Sequence, residues 1–239
     1  MLIALFYFTK GQVEEIINFV CALPAPFKPV FYSEEEEPES KEIIAFDEES
    51  VELILSQPPQ KYFLSSNICR YHILLREDYA VLYVDNFTFP FNSTIDALIE
   101  RISEVSIYFG CICEEEERIH RNKVNRVMGK NIIESWVGRN PFRKVPGLYW
   151  KTILSSQIIV QNNLDIEKIK ESAKHIYPLT KKAFVLTFFE DPQDWRDYSE
   201  ALDLTCSSFE GIFSKEQALL ETSQIDDVMT YIAEISKFK

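Results

Sequence analysis

The stretch Tyr71-His72-Ile73-Leu74-Leu75-Arg76-Glu77-Asp78-Tyr79-Ala80-Val81-Leu82-Tyr83-Val84 decides the fold class. Two β-rich runs, Tyr62 to Leu75 and Tyr79 to Phe87, are joined by Arg76-Glu77-Asp78, a polar link short enough for an antiparallel hairpin. A helix follows directly: Ser93 reads as its N-cap with Asp96 three residues on, and Ile95, Leu98, Ile99, Ile102, Val105 and Phe109 make one apolar stripe that needs a sheet to cover it. Past Gly110 the apolar pattern extends through Ile119, Val124 and Val127 to Gly129 as a continuation of that helix, although a mid-helix Gly costs about 1 kcal/mol relative to Ala.

Upstream, Leu2-Ile3-Ala4-Leu5-Phe6-Tyr7-Phe8-Thr9 reads as a buried strand. Val13, Ile16, Ile17 and Val20 then recur at helical spacing until Pro24 and Pro26 end the pattern, and Val30-Phe31-Tyr32 reads as a short strand. From Glu34 to Glu52 there are ten acidic residues and one Lys, so like-charge repulsion favours a solvated loop with at most a short helix over Val51 to Leu55. Downstream, Lys123 to Lys151 reverses the balance, with seven basic residues against Glu134 alone. This island holds Trp136, Asn140-Pro141 and Pro146-Gly147-Leu148-Tyr149-Trp150, whose Pro-Gly pair suits a type II turn. Ile153-Leu154 and Ile158-Ile159-Val160 precede a helix expected from about Asp165 to Tyr177; Ala183 to Phe189 reads as a central strand, and the remainder is helical in tendency.

This order predicts an α+β fold, a mostly antiparallel sheet with helices packed on one face, in which each half admits a strand-helix-strand unit of ferredoxin-like kind. We expect a single domain over 1–239, with sub-units 1–129 and 130–239 as the finer division. The 239 residues, 46% apolar and 26% charged, suffice for such a core. No apolar run approaches the roughly 18 residues of a membrane span. The start lacks the basic region and cleavage site of a signal peptide, which places the chain in the cytoplasm as an expectation. Five scattered cysteines, Cys21, Cys69, Cys111, Cys113 and Cys206, read as free thiols in a reducing compartment. The net charge of -13 disfavours a phosphate backbone as partner and favours a cationic protein.

Chemistry-bearing residues concentrate in Cys111-Ile112-Cys113-Glu114-Glu115-Glu116-Glu117-Arg118-Ile119-His120, where Glu116 and His120 would share a helical face. Helical Cys-x-Cys spacing sends the two thiols about 200° apart, and zinc asks for four converging ligands, which His72 and His175 do not complete by spacing. No metal and no cofactor are therefore expected. His72 reads as a sheet histidine and His175 as a solvated one; Gly138 and Gly147 stand alone, without a phosphate-loop pattern. Glu190-Asp191-Pro192-Gln193-Asp194-Trp195 follows an apolar strand, yet Asp-Pro there reads as a helix or turn start, with Trp195 a packing anchor.

Val137-Gly138-Arg139-Asn140, then Val145-Pro146-Gly147-Leu148-Tyr149-Trp150 and Lys151-Thr152-Ile153-Leu154, resemble the bacterial immunity proteins of polymorphic-toxin and type VI secretion systems. The resemblance runs from Val137 to Trp195, with Ile166 to Ile176, Phe184 to Phe189 and Asp191-Pro192 in the family's order. It implies a bacterial, non-enzymatic toxin inhibitor that covers the active site of a cognate toxin, a nuclease with a basic cleft being the natural target. No residue role carries over, because such scaffolds vary their binding faces. Charge then nominates Glu34, Glu35, Glu36 and Glu37, or alternatively Glu114, Glu115, Glu116 and Glu117, as the partner-binding face, and Pro146, Gly147, Tyr149 and Trp150 as a structural turn. Two other readings stand beside it. One is a metal- or thiol-dependent enzyme using Cys111, Cys113, Glu116 and His120; the other is a subunit of a larger assembly, with Trp136, Tyr149, Trp150, Arg139 and Arg143 as an anchor.

Overall fold

The computed structural model describes residues 1–9, 13–36, 44–56, 61–76, 79–85, 87 and 91–239. The chain is α+β, with an extensive antiparallel sheet and helices packed against it. It divides into two compact units, Met1–Gly110 with Leu179–Ala183, and Cys111–Pro178 with Phe184–Lys239. The division thus falls at Gly110, not near 129 where the sub-units were expected.

In the first unit the strands are β1 (Leu2–Thr9), β2 (Phe31–Ser33), β3 (Ile44–Ala45), β4 (Lys61–Ser65), β5 (Arg70–Leu75) and β6 (Tyr79–Asp85), with helices α1 (Val13–Ala22), α2 (Glu48–Ser56) and α3 (Phe91–Ile102). They hydrogen-bond in the order β1-β6-β5-β4-β2-β3, each pair antiparallel. Because β6 pairs antiparallel with both β1 and β5, β1 and β5 run parallel on either side of it with α1 in the connection, the split strand-helix-strand unit of ferredoxin-like kind, which β4, β2 and β3 extend at the β5 edge. The hairpin β5–β6 forms as expected, with Leu75 opposite Ala80. The run Tyr62 to Leu75 proves to be two strands folded back at residues 66–69, where Ser66 Oγ accepts from the backbone N–H groups of Ile68 and Cys69. A serine making a local turn outcompetes strand extension there. Leu2 to Phe8 are all buried, as a strand covered on both faces requires. The α3 stripe Ile95, Leu98, Ile99 and Ile102 is buried too, but the helix starts at Phe91, so Ser93 lies inside it and is no N-cap; it stops at Ile102, short of Val105 and Phe109. The expected short helix over Val51 to Leu55 is α2.

Strand β7 (Phe109–Glu114) leads into the second unit, which holds α4 (Glu115–Asn122), β8 (Lys123–Met128), β9 (Asn131–Trp136), β10 (Lys151–Ser155), α5 (Ser156–Gln161), α6 (Ile166–Glu171), β11 (His175–Thr180), β12 (Ala183–Thr187), α7 (Trp195–Ser207), α8 (Lys215–Thr222) and α9 (Val228–Ser236). Here β11, β12, β10 and β7 are neighbours in that order, and β8–β9 is a separate antiparallel hairpin. The helix expected to continue from Gly110 to Gly129 is replaced by strand, one short helix and strand. Gly129 makes the difference: with φ +62 it takes the first central position of a two-residue turn between Met128 and Asn131, as a type II′ hairpin asks. The helix expected over Asp165 to Tyr177 ends at Glu171. Asp165 caps its start through Lys168 N at 3.2 Å, but from Lys174, whose N–H donates to Thr187 O at 2.8 Å, the chain pairs with β12. Pro178 sits on β11, which ends the sheet order, where a missing N–H is tolerated. Val124, Met128, Val137, Phe213, Ala218, Tyr231 and Ile235 form the core between the β8–β9 hairpin and the last two helices.

Candidate functional site

The densest polar constellation lies in the second unit, where α4 meets residues 146–150. Helix α4 begins without a side-chain cap at Glu114, yet Glu115, Glu116 and Glu117 crowd its first turn, where negative charge suits the helix dipole. Its short length and position then separate the four glutamates. Glu114 and Glu115 are half-buried, Glu116 is exposed and ion-paired with Arg196, and Glu117 is fully buried. A continuous acidic face from Glu114 to Glu117 is therefore not what the fold builds, because Glu117 points at the protein and not at a partner.

Glu117 and Arg121, one turn apart, pair at 3.3 Å from Nε to Oε1, and Arg121 Nη1 donates to Asp203 Oδ1 on α7. The other Glu117 oxygen accepts from Trp150 N at 3.4 Å, and the other Asp203 oxygen lies 3.0 Å from His120 Nε2. Burial pushes the Glu117 carboxyl up to about 7 even though Arg121 pulls it down. For Arg121 the balance reverses: burial is the largest influence and would lower it, but the acidic groups around it, Glu117 first and Asp203 among them, together outweigh burial. Beside this network Asn122 donates from Nδ2 to the carbonyls of Val137 (3.1 Å), Gly138 (3.3 Å) and Pro146 (3.1 Å), and its Oδ1 accepts from Tyr149 Oη at 2.6 Å. Trp150 Nε1 donates to Phe189 O at 2.9 Å.

Pro146, Gly147, Tyr149 and Trp150 are all buried, but residues 146–149 run as irregular coil rather than as the type II turn expected. Thr152 Oγ1 accepts from Tyr149 N, and Asn122 holds Pro146 O, so side chains take over the bonds that a turn would have closed. Gly147 does take a positive φ, +150. Burial also removes Tyr149 and Trp150 from any surface anchor, and Trp136 is half-buried beneath Arg118, 5.1 Å from its ring centre. Arg121, Asn122 and Asp203 were not singled out from the sequence, and Glu117 was nominated only as part of a partner-binding face. The one available signal was the i,i+4 spacing of Glu117, Arg121 and their neighbours on a helix too short to stand alone.

Cys111 and Cys113 lie on β7 and not on a helix, so their side chains share one face of the strand, the opposite of the helical expectation. Both are buried, and burial pushes the Cys113 thiol well above its ordinary range, away from the thiolate that a nucleophile or metal ligand needs. Glu116 turns to Arg196 and His120 to Asp203, so the residues from Cys111 to His120 do not converge. Among the described residues no three His, Cys, Asp or Glu are placed to hold a metal ion. Asp191 caps the 3-10 turn Pro192–Asp194 and Trp195 is buried at the start of α7, which is the helix-start reading of that segment; Glu190 is drawn to His175 and Lys174, both at 3.0 Å.

In the first unit the other acidic run is open to solvent. Glu34, Glu35 and Glu36 are exposed, while Glu37 lies outside the described residues. They follow β2, where Ser33 Oγ accepts from Glu35 N at 3.0 Å and Tyr32 Oη donates to Glu34 Oε1 at 3.1 Å, which fixes the start of the run. Beside them a cavity of 90 Å³ is lined by Phe31, Glu35, Glu36, Phe63, Arg70 and His72, among others. Phe31 is half exposed. Arg70 is engaged by Asp85 at 3.1 Å, and His72 Nε2 lies 3.3 Å from the same carboxylate. Burial would raise Asp85, but the His72 ring and the Arg70 guanidinium beside it prevail and hold it below the usual carboxylate range. With Arg70 so committed, Glu35 and Glu36 give this rim negative charge, and Lys61 Nζ stands 5.3 Å from the ring centre of Phe63 at its edge.

No family model matches the chain, and no curated protein does. Among solved structures it is similar to the Pseudomonas aeruginosa T6SS protein PA0821, with a TM-score of 0.50 and 11% identity over 88% of this chain and 72% of that one. The two share a fold. No helix among the described residues is long and apolar enough to cross a membrane.

Proposed function

We propose that this protein is an immunity protein: it binds a cognate bacterial toxin, covers the toxin's active site and performs no chemistry of its own. The observation that carries this reading is the exposed run Glu34-Glu35-Glu36 beside the half-exposed ring of Phe31, an anionic rim with an apolar contact at its edge. Such a rim is complementary to a cationic cleft of the sort that grips nucleic acid, so a nuclease is the target we favour, and the net charge of -13 speeds the encounter. The shared fold with a type VI secretion protein supports the setting, and the protein would act in the cytoplasm that the toxin enters. Glu117 leaves the proposed face because its charge is spent inside the fold, and Glu116 answers first to Arg196.

The test pairs the purified protein with the toxin domain encoded beside its gene. Replacing Glu34, Glu35 and Glu36 together by Gln should slow association by about tenfold at low salt and by less at high salt, because steering by exposed charge is screened. If neither the rate nor the affinity moves, the rim is not the binding face; if the two proteins do not associate at all, the immunity reading goes with it.

A further inference from the structure

We propose that two copies of this chain pair edge to edge through the second unit, their β9 strands running antiparallel about Glu134. The phase of the β8–β9 hairpin sets the geometry. Its two-residue turn makes Met128 and Asn131 a hydrogen-bonded pair, and such pairs alternate along an antiparallel ladder, so Arg126 with Ile133 and Val124 with Ser135 follow. Val137 N donates to Asn122 O at 2.8 Å, the next step of that alternation. Ile132, Glu134 and Trp136 therefore aim their N–H and C=O groups away from β8, and among the described residues none of these groups has a partner. The outward groups of β8 aim the opposite way, but that edge is cut short where Lys123 N donates to Ile119 O at the end of α4.

Proteins blunt open edges with short strands, bulges, proline or lysine. Strand β3 is two residues long and β11 carries Pro178, whereas β9 runs six residues in unbroken register with neither proline nor lysine. Its solvent face is apolar at Ile132, 67% exposed, opposite Val127 of β8 at 72%. An open edge accepts an extended segment, and two features point to a second copy. The first is symmetry. Read in either direction, the outward positions are apolar, Glu, apolar, so pairing about Glu134 sets Ile132 against the second copy's Trp136 on both sides of the axis and lets all three residues exchange both N–H···O bonds. The second is charge. At a net charge of -13 two copies repel over most of their surfaces, but exposed charges more than about 8 Å apart are screened, so those beside the edge decide. There Lys123 is paired with Glu134 at 2.8 Å, and Arg126 donates to the carbonyls of Thr222, Ser223 and Ile225. The other cations, Lys130 at the turn and Arg118 5.1 Å from the Trp136 ring centre, lie on either side of Glu134 along the strand. The edge is thus free of the acidic excess that keeps two copies apart elsewhere. Glu134 does meet its own copy across the axis, a repulsion that each Lys123 offsets.

Sedimentation velocity of the full chain, from about 10 μM to about 1 mM, should show a reversible monomer–dimer equilibrium. E134P deletes an N–H that bonds nothing within the hairpin and should weaken the dimer at least about tenfold, whereas E134Q removes the same charge, keeps the donor and should tighten it about threefold. I132K, at an exposed position where lysine costs the fold little, puts a cation on the pairing edge and should weaken the dimer about tenfold, so the test holds even where proline disturbs β9. A protein that is monomeric at every concentration, its edge left to a strand of some other protein, overturns the proposal. So does a dimer that E134P and I132K leave unchanged, which is held by another surface, or one that E134Q weakens, which is not paired about Glu134. None of these outcomes bears on the anionic rim of the first unit.

Discussion

Glu117 and Arg121 face each other across one turn of α4 as a buried ion pair, 0% and 4% exposed at their side chains, with Asp203 closing the far side of the guanidinium. Two acids against one base in so dry a place make the protonation of Glu117 part of the fold's stability.

Removing the base should therefore be severe. R121M leaves Glu117 and Asp203 buried or half-buried without their cation, and the loss of one partner of a buried pair costs about 3–5 kcal/mol. Urea unfolding of the variant checks this; a loss below about 1 kcal/mol would mean that water solvates the site.

The pH dependence follows from the raised Glu117. Below pH 4.5 the group holds its proton in both the folded and unfolded chain; between 4.5 and about 7 only the folded chain retains it; above that neither does. Stability from this group is accordingly present in full at low pH and lost as pH rises towards 7, a total of about 3 kcal/mol at most. E117Q removes the titration, so the difference between wild type and E117Q should favour the wild type more at pH 5 than at pH 8. An equal difference at both values, read from denaturant midpoints, would show that Glu117 is ionised throughout.

Asn122 and Tyr149 offer a coupled pair. N122A strips partners from the carbonyls of Val137, Gly138 and Pro146 and should cost about 3 kcal/mol, whereas Y149F removes one hydroxyl and should cost about 1 kcal/mol. Because the two side chains bond each other at 2.6 Å, the double variant should lose less than the sum, by about 1 kcal/mol. Strict additivity would remove the bond from the account.

Two glycines with nearly the same φ separate strain from packing. Gly129 and Gly138 have φ +62 and +61, but a Cβ on Gly129 meets nothing within 4 Å, while one on Gly138 runs into the ring of Phe213. G129A should cost about 1–2 kcal/mol for the left-handed backbone alone. G138A should cost at least about 2 kcal/mol more, since the added methyl must displace a core phenylalanine. Thermal unfolding of both variants ranks them, and equal shifts would contradict the clash.

How much of this was legible depends on whether neighbours along the chain or neighbours in space set the outcome. Strand β1, the β5–β6 hairpin and the Ile95-to-Ile102 stripe could be read because their apolar residues repeat at a single period over seven or more positions. The segment from Gly110 to Gly129 could not, because it changes from strand to a two-turn helix and back to strand, and each piece is shorter than the window in which a period shows itself. Pro146 to Trp150 was recognisable as a structural element but not in its conformation, since its backbone partners are Asn122 and Thr152 and not one another.

The four glutamates from Glu114 to Glu117 make the same division within a single run. Amino-acid order alone determined that an anionic chain of this composition forms an α+β core, because apolar periodicity acts over a few residues. Only the tertiary structure decided that Glu117 turns inward to Arg121 and Trp150 N while Glu116 stays in water. A charge becomes structural or available to a partner according to the dielectric and the donors that packing brings around it, and those come from α7 and residues 146–150, distant along the chain.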